Sequence, residues 1–311
     1  MISTAAANDV QQVAGSARVD LGELVALRGQ AMRLRASRTK TQTPLAGGHA
    51  SHLRGRGMDY AESRVYQPGD DARAIDWRRT ARSGRMHTKL FREERERSLL
   101  LMMDTHGSMR FGTRVRFKSV QAARAAALVA WSAARAGDRV GALAFGAARE
   151  AVDPRGGDRG VLAVLGALAR WDMHPADSEE PLSAALLRAQ RLALPGSRVL
   201  LVSDGLCVDE AARMALLHMA QRSEVRALIV ADALELSPPP PGSYAFDTPQ
   251  GRVQMQLHGS SQRMRFRDNL ARGHRALAAL CDECGVRWRR IAGGEDPSSA
   301  LAALLDPRLR R

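Results

Sequence analysis

The sequence predicts an α/β protein built on a doubly wound, mostly parallel sheet. Three observations carry that prediction. Apolar runs of strand length recur and stop at a carboxylate: SLLLMMD (Ser98 to Asp104), SRVLLVSDG (Ser197 to Gly205) and VRALIVAD (Val225 to Asp232). Continuous runs of this length suit strands covered on both faces, as parallel strands are. Alanine- and leucine-rich stretches with helical spacing separate them, and strands alternating with helices specify a parallel sheet between two helical layers. Neither GxGxxG nor GxxxxGK[ST] occurs, so a glycine-rich phosphate loop is not expected.

The elements follow in order. Residues 1–20 read as a leader without fixed structure. They lack the basic start and apolar core of a secretory signal. LGELVALRGQAMRL (Leu21 to Leu34) places apolar residues at helical intervals. Residues 35–57 are polar, glycine-rich and basic, and read as a loop. RVYQPGDDARAIDW (Arg64 to Trp77) is a charged segment around a Pro-Gly turn, leading into the first strand. Then come a helix over 118–137, a strand over 138–146, helices over 160–170 and 181–194, the 197–205 strand, a helix over 209–223 and the 225–232 strand. A proline-rich break, SPPPPGSY, precedes a β-hairpin insertion near residues 238–260. A helix over 265–284, a strand over 286–292 and a short helix close the chain. The organisation read from this is a leader with a short helix (1–57), a small lobe (58–97) and the sheet domain (98–311).

The 311 residues can bury a sizeable core, and with aromatics at 4% it must consist mostly of leucine, alanine and valine. No apolar run approaches the roughly 18 residues needed to cross a bilayer. Three cysteines provide no disulfide framework, and a cytoplasmic location is expected. The net charge of +14 is carried mainly by arginines spread along the chain, and it keeps a nucleic-acid or polyanion-binding reading open.

In open α/β sheets, function gathers at the carboxyl ends of strands. Asp104, in DTHGS, and Asp204, in SDG, fall there. The arrangement resembles the metal-ion-dependent adhesion site of the von Willebrand factor A domain, with Asp104, Ser108 and Asp204 at matching positions. That resemblance implies Mg²⁺, a hard cation suited to hydroxyl and carboxylate oxygens. Two positions depart from it. His106, a poor magnesium ligand, replaces the middle serine, and the expected threonine falls near Glu180. Two readings stand: a degenerate site that still takes a cation, or carboxylates that cap backbone amides at helix starts.

The charged segment supplies a family. Arg64, Tyr66, Gly69, Asp70, Asp71, Arg73, Ile75, Asp76, Trp77, Ala81 and Arg82 match the signature Arg-x-Tyr-x-x-Gly-Asp-Asp-x-Arg-x-Ile-Asp-Trp-x-x-x-Ala-Arg. The chain therefore resembles the domain-of-unknown-function family 58, in a short form without membrane helices. The resemblance implies a von Willebrand A-like sheet and a non-enzymatic protein-interaction module. It also implies partnership with a MoxR-type AAA+ ATPase in chaperone-like maturation of client proteins. The partner surface expected on this basis comprises Arg64, Tyr66, Asp70, Asp71, Arg73, Asp76, Trp77 and Arg82, with His106 and Arg110 at the strand ends. The same cluster could instead be a clasp, with Asp70, Asp71 and Asp76 paired to Arg64, Arg73 and Arg82 while Ile75 and Trp77 pack on the sheet.

Enzymatic readings are weaker. Ser108 lies two residues from His106, but there is no G-x-S-x-G elbow. Cys281-x-x-Cys284 sits in an apolar helix without the second pair that zinc requires, and reads as buried structural cysteines. His218, His258 and His274 are isolated, and Pro238 to Pro241 read as a rigid connector.

Overall fold

The computed structural model describes residues 17–34, 58–93, 97–174, 180–248 and 251–306. The chain divides into two units, residues 42–96 and residues 1–41 with 97–311. The expected leader (1–16 of it) and the 35–57 loop lie outside the described residues.

The larger unit holds a six-stranded sheet. Its strands are β3 (Ser98–Asp104), β4 (Arg139–Phe145), β5 (Ala151–Arg155), β6 (Arg198–Ser203), β7 (Glu224–Ala231) and β10 (Arg287–Ala292), in spatial order β10-β7-β6-β3-β4-β5. All pairings are parallel except β4 with β5. β3 is buried along its whole length, which explains its unbroken apolar sequence. β5 was not foreseen: AVDPR is short and polar, and its Pro154 is tolerated because the strand lies at the sheet edge.

One face of the sheet is covered by α4 (Lys118–Arg135), α5 (Gly157–Asp172) and α11 (Pro297–Leu305). α4 is buried on nearly every side, and its run of alanines lets it lie close to the strands. The N-terminal helix is two short pieces, α1 (Leu21–Ala26) and α2 (Arg28–Ala31), and it groups with this unit. Leu24, Leu27, Ala31 and Leu34 are buried there, and Trp131 Nε1 donates to the Leu24 carbonyl. The opposite face carries α6 (Leu182–Leu192), α7 (Ala212–Arg222) and α10 (Arg272–Glu283). The helix expected over 265–284 is divided at Ala271 into α9 (Ser260–Leu270) and α10. A single-turn helix, α8 (Ala233–Leu236), follows β7, and β8 (Gly242–Thr248) pairs with β9 (Gly251–Leu257) as the expected hairpin. Among the described residues no helix is long and apolar enough to cross a membrane.

The smaller unit is built on an antiparallel pair, β1 (Met58–Val65) and β2 (His87–Glu93). A 3-10 turn (Ala72–Ala74) and α3 (Trp77–Ser83) lie in their connection. Here the expected clasp is only partly formed. Arg64 pairs with Asp70 at 2.6 Å, and Asp70 also accepts from the Gln67 amide. Asp71 instead accepts from the Arg73 amide, and Asp76 caps α3 through the Arg79 amide while accepting from the Ser63 hydroxyl. These contacts hold the Asp76 carboxyl below the usual carboxylate range, the Ser63 bond first. Arg73 and Arg82 are exposed and have no acidic partner among the described residues. Ile75 is buried as expected, but Trp77 is 68% exposed. A cap needs only a short side chain and a neighbouring amide, so it wins over an ion pair that must order two long side chains.

Candidate functional site

β3 and β6 are neighbours in the sheet, so the topology alone brings Asp104 and Asp204 to one edge. Both are buried. Every oxygen of the two carboxylates is already engaged. Asp104 Oδ1 accepts from the His106 amide (2.9 Å) and pairs with His106 Nδ1 (2.7 Å). Its Oδ2 accepts from Ser203 Oγ (2.5 Å) and lies 3.6 Å from Cys207 Sγ. Asp204 Oδ1 accepts from the Leu206 amide at 3.0 Å. Its Oδ2 meets Lys118 Nζ at 2.8 Å, and the same ammonium reaches Glu235 Oε1 at 2.7 Å.

Lys118 opens α4 and is 2% exposed. Burial alone would push its ammonium down, but Asp204 and Glu235 outweigh that and raise it. A permanent internal cation therefore lies between the ends of β6 and β7. Glu235 belongs to a capping box on α8: Asp232 accepts from the Leu234 amide while Glu235 accepts from the Asp232 amide. Asp232 also holds Thr113 through its amide and its hydroxyl, fixing the loop that leads into α4.

His106 is the second basic group at the strand ends. Burial opposes its protonation, but the hydrogen bond and charge of Asp104 outweigh burial, with help from Asp204 and the Glu180 backbone, and raise the imidazole. The ring lies against Gly146, which has φ +95; a Cβ there would come within 2.6 Å of Nδ1. Glu180, near which the adhesion-site threonine was expected, accepts from Arg188 Nε and Nη2 at 2.8 Å each. Burial pushes the Cys207 thiol well up, with Asp104 adding to the effect. It is not a thiolate nucleophile at neutral pH.

The structure thus unites Asp104, His106 and Asp204, and adds Lys118, Ser203, Cys207 and Glu235. Asp104, His106 and Cys207 bring potential ligand atoms within 4.8 Å of one another. Ser108 is half-buried on a single 3-10 turn (Gly107–Arg110), and its hydroxyl has no hydrogen bond among the described residues. Arg110 donates to the carbonyls of Asp172 and His174 at the end of α5. The donor set does not fit Mg²⁺, which needs several free oxygens in octahedral array, because the oxygens of both carboxylates are already engaged, Asp204 by the Lys118 ammonium and the Leu206 amide, Asp104 by His106 and Ser203. Lys118 carried a readable signal. A lysine at the first position of a buried alanine-rich helix is at the end where positive charge is disfavoured, so it needs acidic neighbours.

The His106–Asp104 pair predicts a pH dependence. A histidine raised in the folded state contributes stability that is fully present below its unfolded value, about 6.5, and is lost as pH rises through the folded value. The gap in melting temperature between the wild type and His106→Gln is therefore expected to be widest below about pH 6.5 and to narrow above it. A gap that does not vary with pH would rule out the charged pair.

Cys281 and Cys284 are free thiols, and burial pushes Cys281 up to about 12. Cys281 is buried as expected, whereas Cys284 is only half-buried.

Comparison with known proteins places these features in a family. Residues 62–277 match the family described as "Protein of unknown function DUF58". "Uncharacterized protein Mb1516" of Mycobacterium bovis and "Uncharacterized protein Rv1480" of Mycobacterium tuberculosis are each 32% identical over 247 residues, covering 78% of this chain and 77% of theirs. Among solved structures, the conserved hypothetical protein BatB from Bacteroides thetaiotaomicron aligns with TM-score 0.41 and 12% identity, over 66% of this chain and 95% of its own. An aerotolerance-related membrane protein from Bacteroides fragilis aligns with TM-score 0.40 and 13% identity, over 67% and 96%. The match spans the segment around Asp70–Trp77 and most of the sheet domain, and the chain belongs to the DUF58 family.

Proposed function

We propose that this chain is a non-enzymatic protein-interaction module with a von Willebrand A-like sheet, acting with a MoxR-type AAA+ ATPase in the maturation or assembly of client proteins. The observation that carries this reading is the surface of α3. Trp77 stands 68% exposed at its start, with Arg78, Arg79 and Arg82 exposed along the same short helix. Tryptophan and arginine are the commonest anchors of protein interfaces, and an exposed pair of this kind asks for an acidic surface with an apolar pocket. The strand-end carboxylates are engaged by Lys118 and His106, so the interaction does not require Mg²⁺.

The test is a binding titration with the MoxR-type ATPase of the same genome. Trp77→Ala is expected to weaken the complex about 30-fold, the scale of an interface hot spot. Chelation of divalent ions, with nucleotide absent, is expected to leave it unchanged. Wild-type affinity in Trp77→Ala, or loss of the complex on chelation, would overturn the reading. The exposed arginines also favour a second reading, polyanion binding. Saturable binding to DNA or RNA that falls steeply with salt, alongside no ATPase binding, would decide for it.

A further inference from the structure

A cavity of about 330 Å³ opens among α8, α9, α10 and β10, on the face of the sheet that carries α10. Its wall is cationic. Arg267 Nε and Nη2 and Arg275 Nη2 all converge on one atom, Asp268 Oδ1, at 3.0, 2.6 and 2.8 Å. Two guanidiniums thus share one carboxylate. Arg290, within β10, has no acidic partner among the described residues. Glu235 also lines the cavity, but its carboxylate is committed to Lys118. Three guanidinium groups of the wall are therefore set against the single carboxylate of Asp268, which Arg267 and Arg275 share.

A histidine also lines the wall. His274 is buried, with Nε2 3.3 Å from the Glu235 carbonyl. Burial first, and then the charges of Arg290, Arg275 and Lys118, hold its imidazole below the usual histidine range, against the Glu235 carbonyl. With Nε2–H donating to that carbonyl, the neutral ring leaves Nδ1 as an acceptor. Trp288 forms the remaining wall. Its Nε1 donates to Asp282 Oδ1 at 2.9 Å, which fixes the ring from behind.

We propose that this cavity binds a phosphate monoester carrying a planar ring, a ligand of the nucleotide class. Guanidinium forks match phosphate oxygens in pairs of parallel hydrogen bonds. A planar ring would lie against the fixed indole. The volume falls at the lower end of the range for small-ligand sites, about 300–1,000 Å³, and suits a mononucleotide better than a dinucleotide. This assignment is independent of the partner surface on α3.

Calorimetry at constant ionic strength tests it with AMP, inorganic phosphate and adenosine as separate probes. AMP is expected to bind saturably, phosphate more weakly, and adenosine not at all. Arg290→Glu is expected to weaken AMP at least tenfold, and Trp288→Leu to bring AMP down to the affinity of phosphate. Arg290 is exposed, so its replacement leaves the core intact, and an unchanged circular dichroism spectrum would confirm this. Absence of saturable AMP binding would overturn the proposal. So would equal binding of AMP and phosphate, or undiminished AMP binding by Arg290→Glu.

Discussion

Lys118→Met is expected to lower the unfolding free energy by about 3–5 kcal/mol, read from urea denaturation. The methionine matches the stem of the lysine in size, so little volume is lost and the cost is electrostatic. Removing the ammonium leaves Asp204 and Glu235 facing one another in a site where Lys118 is 2% exposed. An uncompensated buried charge is far more costly than an absent ion pair, and here two are uncovered at once. Adding Asp204→Asn and Glu235→Gln to Lys118→Met should therefore recover much of the loss. A cost below about 1 kcal/mol for the single variant, the scale of an exposed pair, would show that Lys118 does not bridge the two acids.

Gly205→Ala is expected to cost about 3 kcal/mol, combining backbone strain with overpacking. Gly205 follows Asp204 with φ +83, a conformation that alanine adopts only under strain. Its Cβ would stand 2.3 Å from the Gly273 carbonyl oxygen and 2.7 Å from Leu277 Cβ. Neither neighbour can yield easily, because both belong to α10, which packs on the sheet. Gly137→Ala separates the two contributions. Gly137 has φ +88 but nothing within 4 Å of the added carbon, so it carries the strain alone. Thermal melts should show a clearly larger drop for Gly205→Ala, and equal drops would refute the close approach of α10.

Much of this was legible in the sequence, for reasons that differ by element. β3, β6 and β7 announce themselves because burial on both faces makes their runs almost wholly apolar, with Arg226 near the start of β7 the interior exception. β5 gives no such signal, since one edge pairing asks little of its residues. The split at Ala271 was hidden because helical periodicity continues almost unbroken through it. Asp104 and Asp204 could be placed at one edge from their positions at strand ends. Their partners could not, because Lys118 comes from the start of α4 and Glu235 from a capping box after β7, and only the folded sheet brings them together. In the smaller unit the residue types were clear but the pairings were not. Asp70, Asp71 and Asp76 each had arginines and free backbone amides within reach, and only Asp70 took an arginine side chain.

The two rims of the six-stranded sheet are guarded in different ways. At one rim, β5 holds Pro154, which has no amide hydrogen to offer an incoming strand. At the other, β10 reads RWRRIA, and any chain pairing along it would have to lie beside Arg287, Arg289 and Arg290. A second copy of this chain brings the same positive charge, so growth of the sheet from molecule to molecule is opposed at both rims. A chain rich in buried valine, leucine and isoleucine strands is thereby kept from stacking edge to edge into fibres.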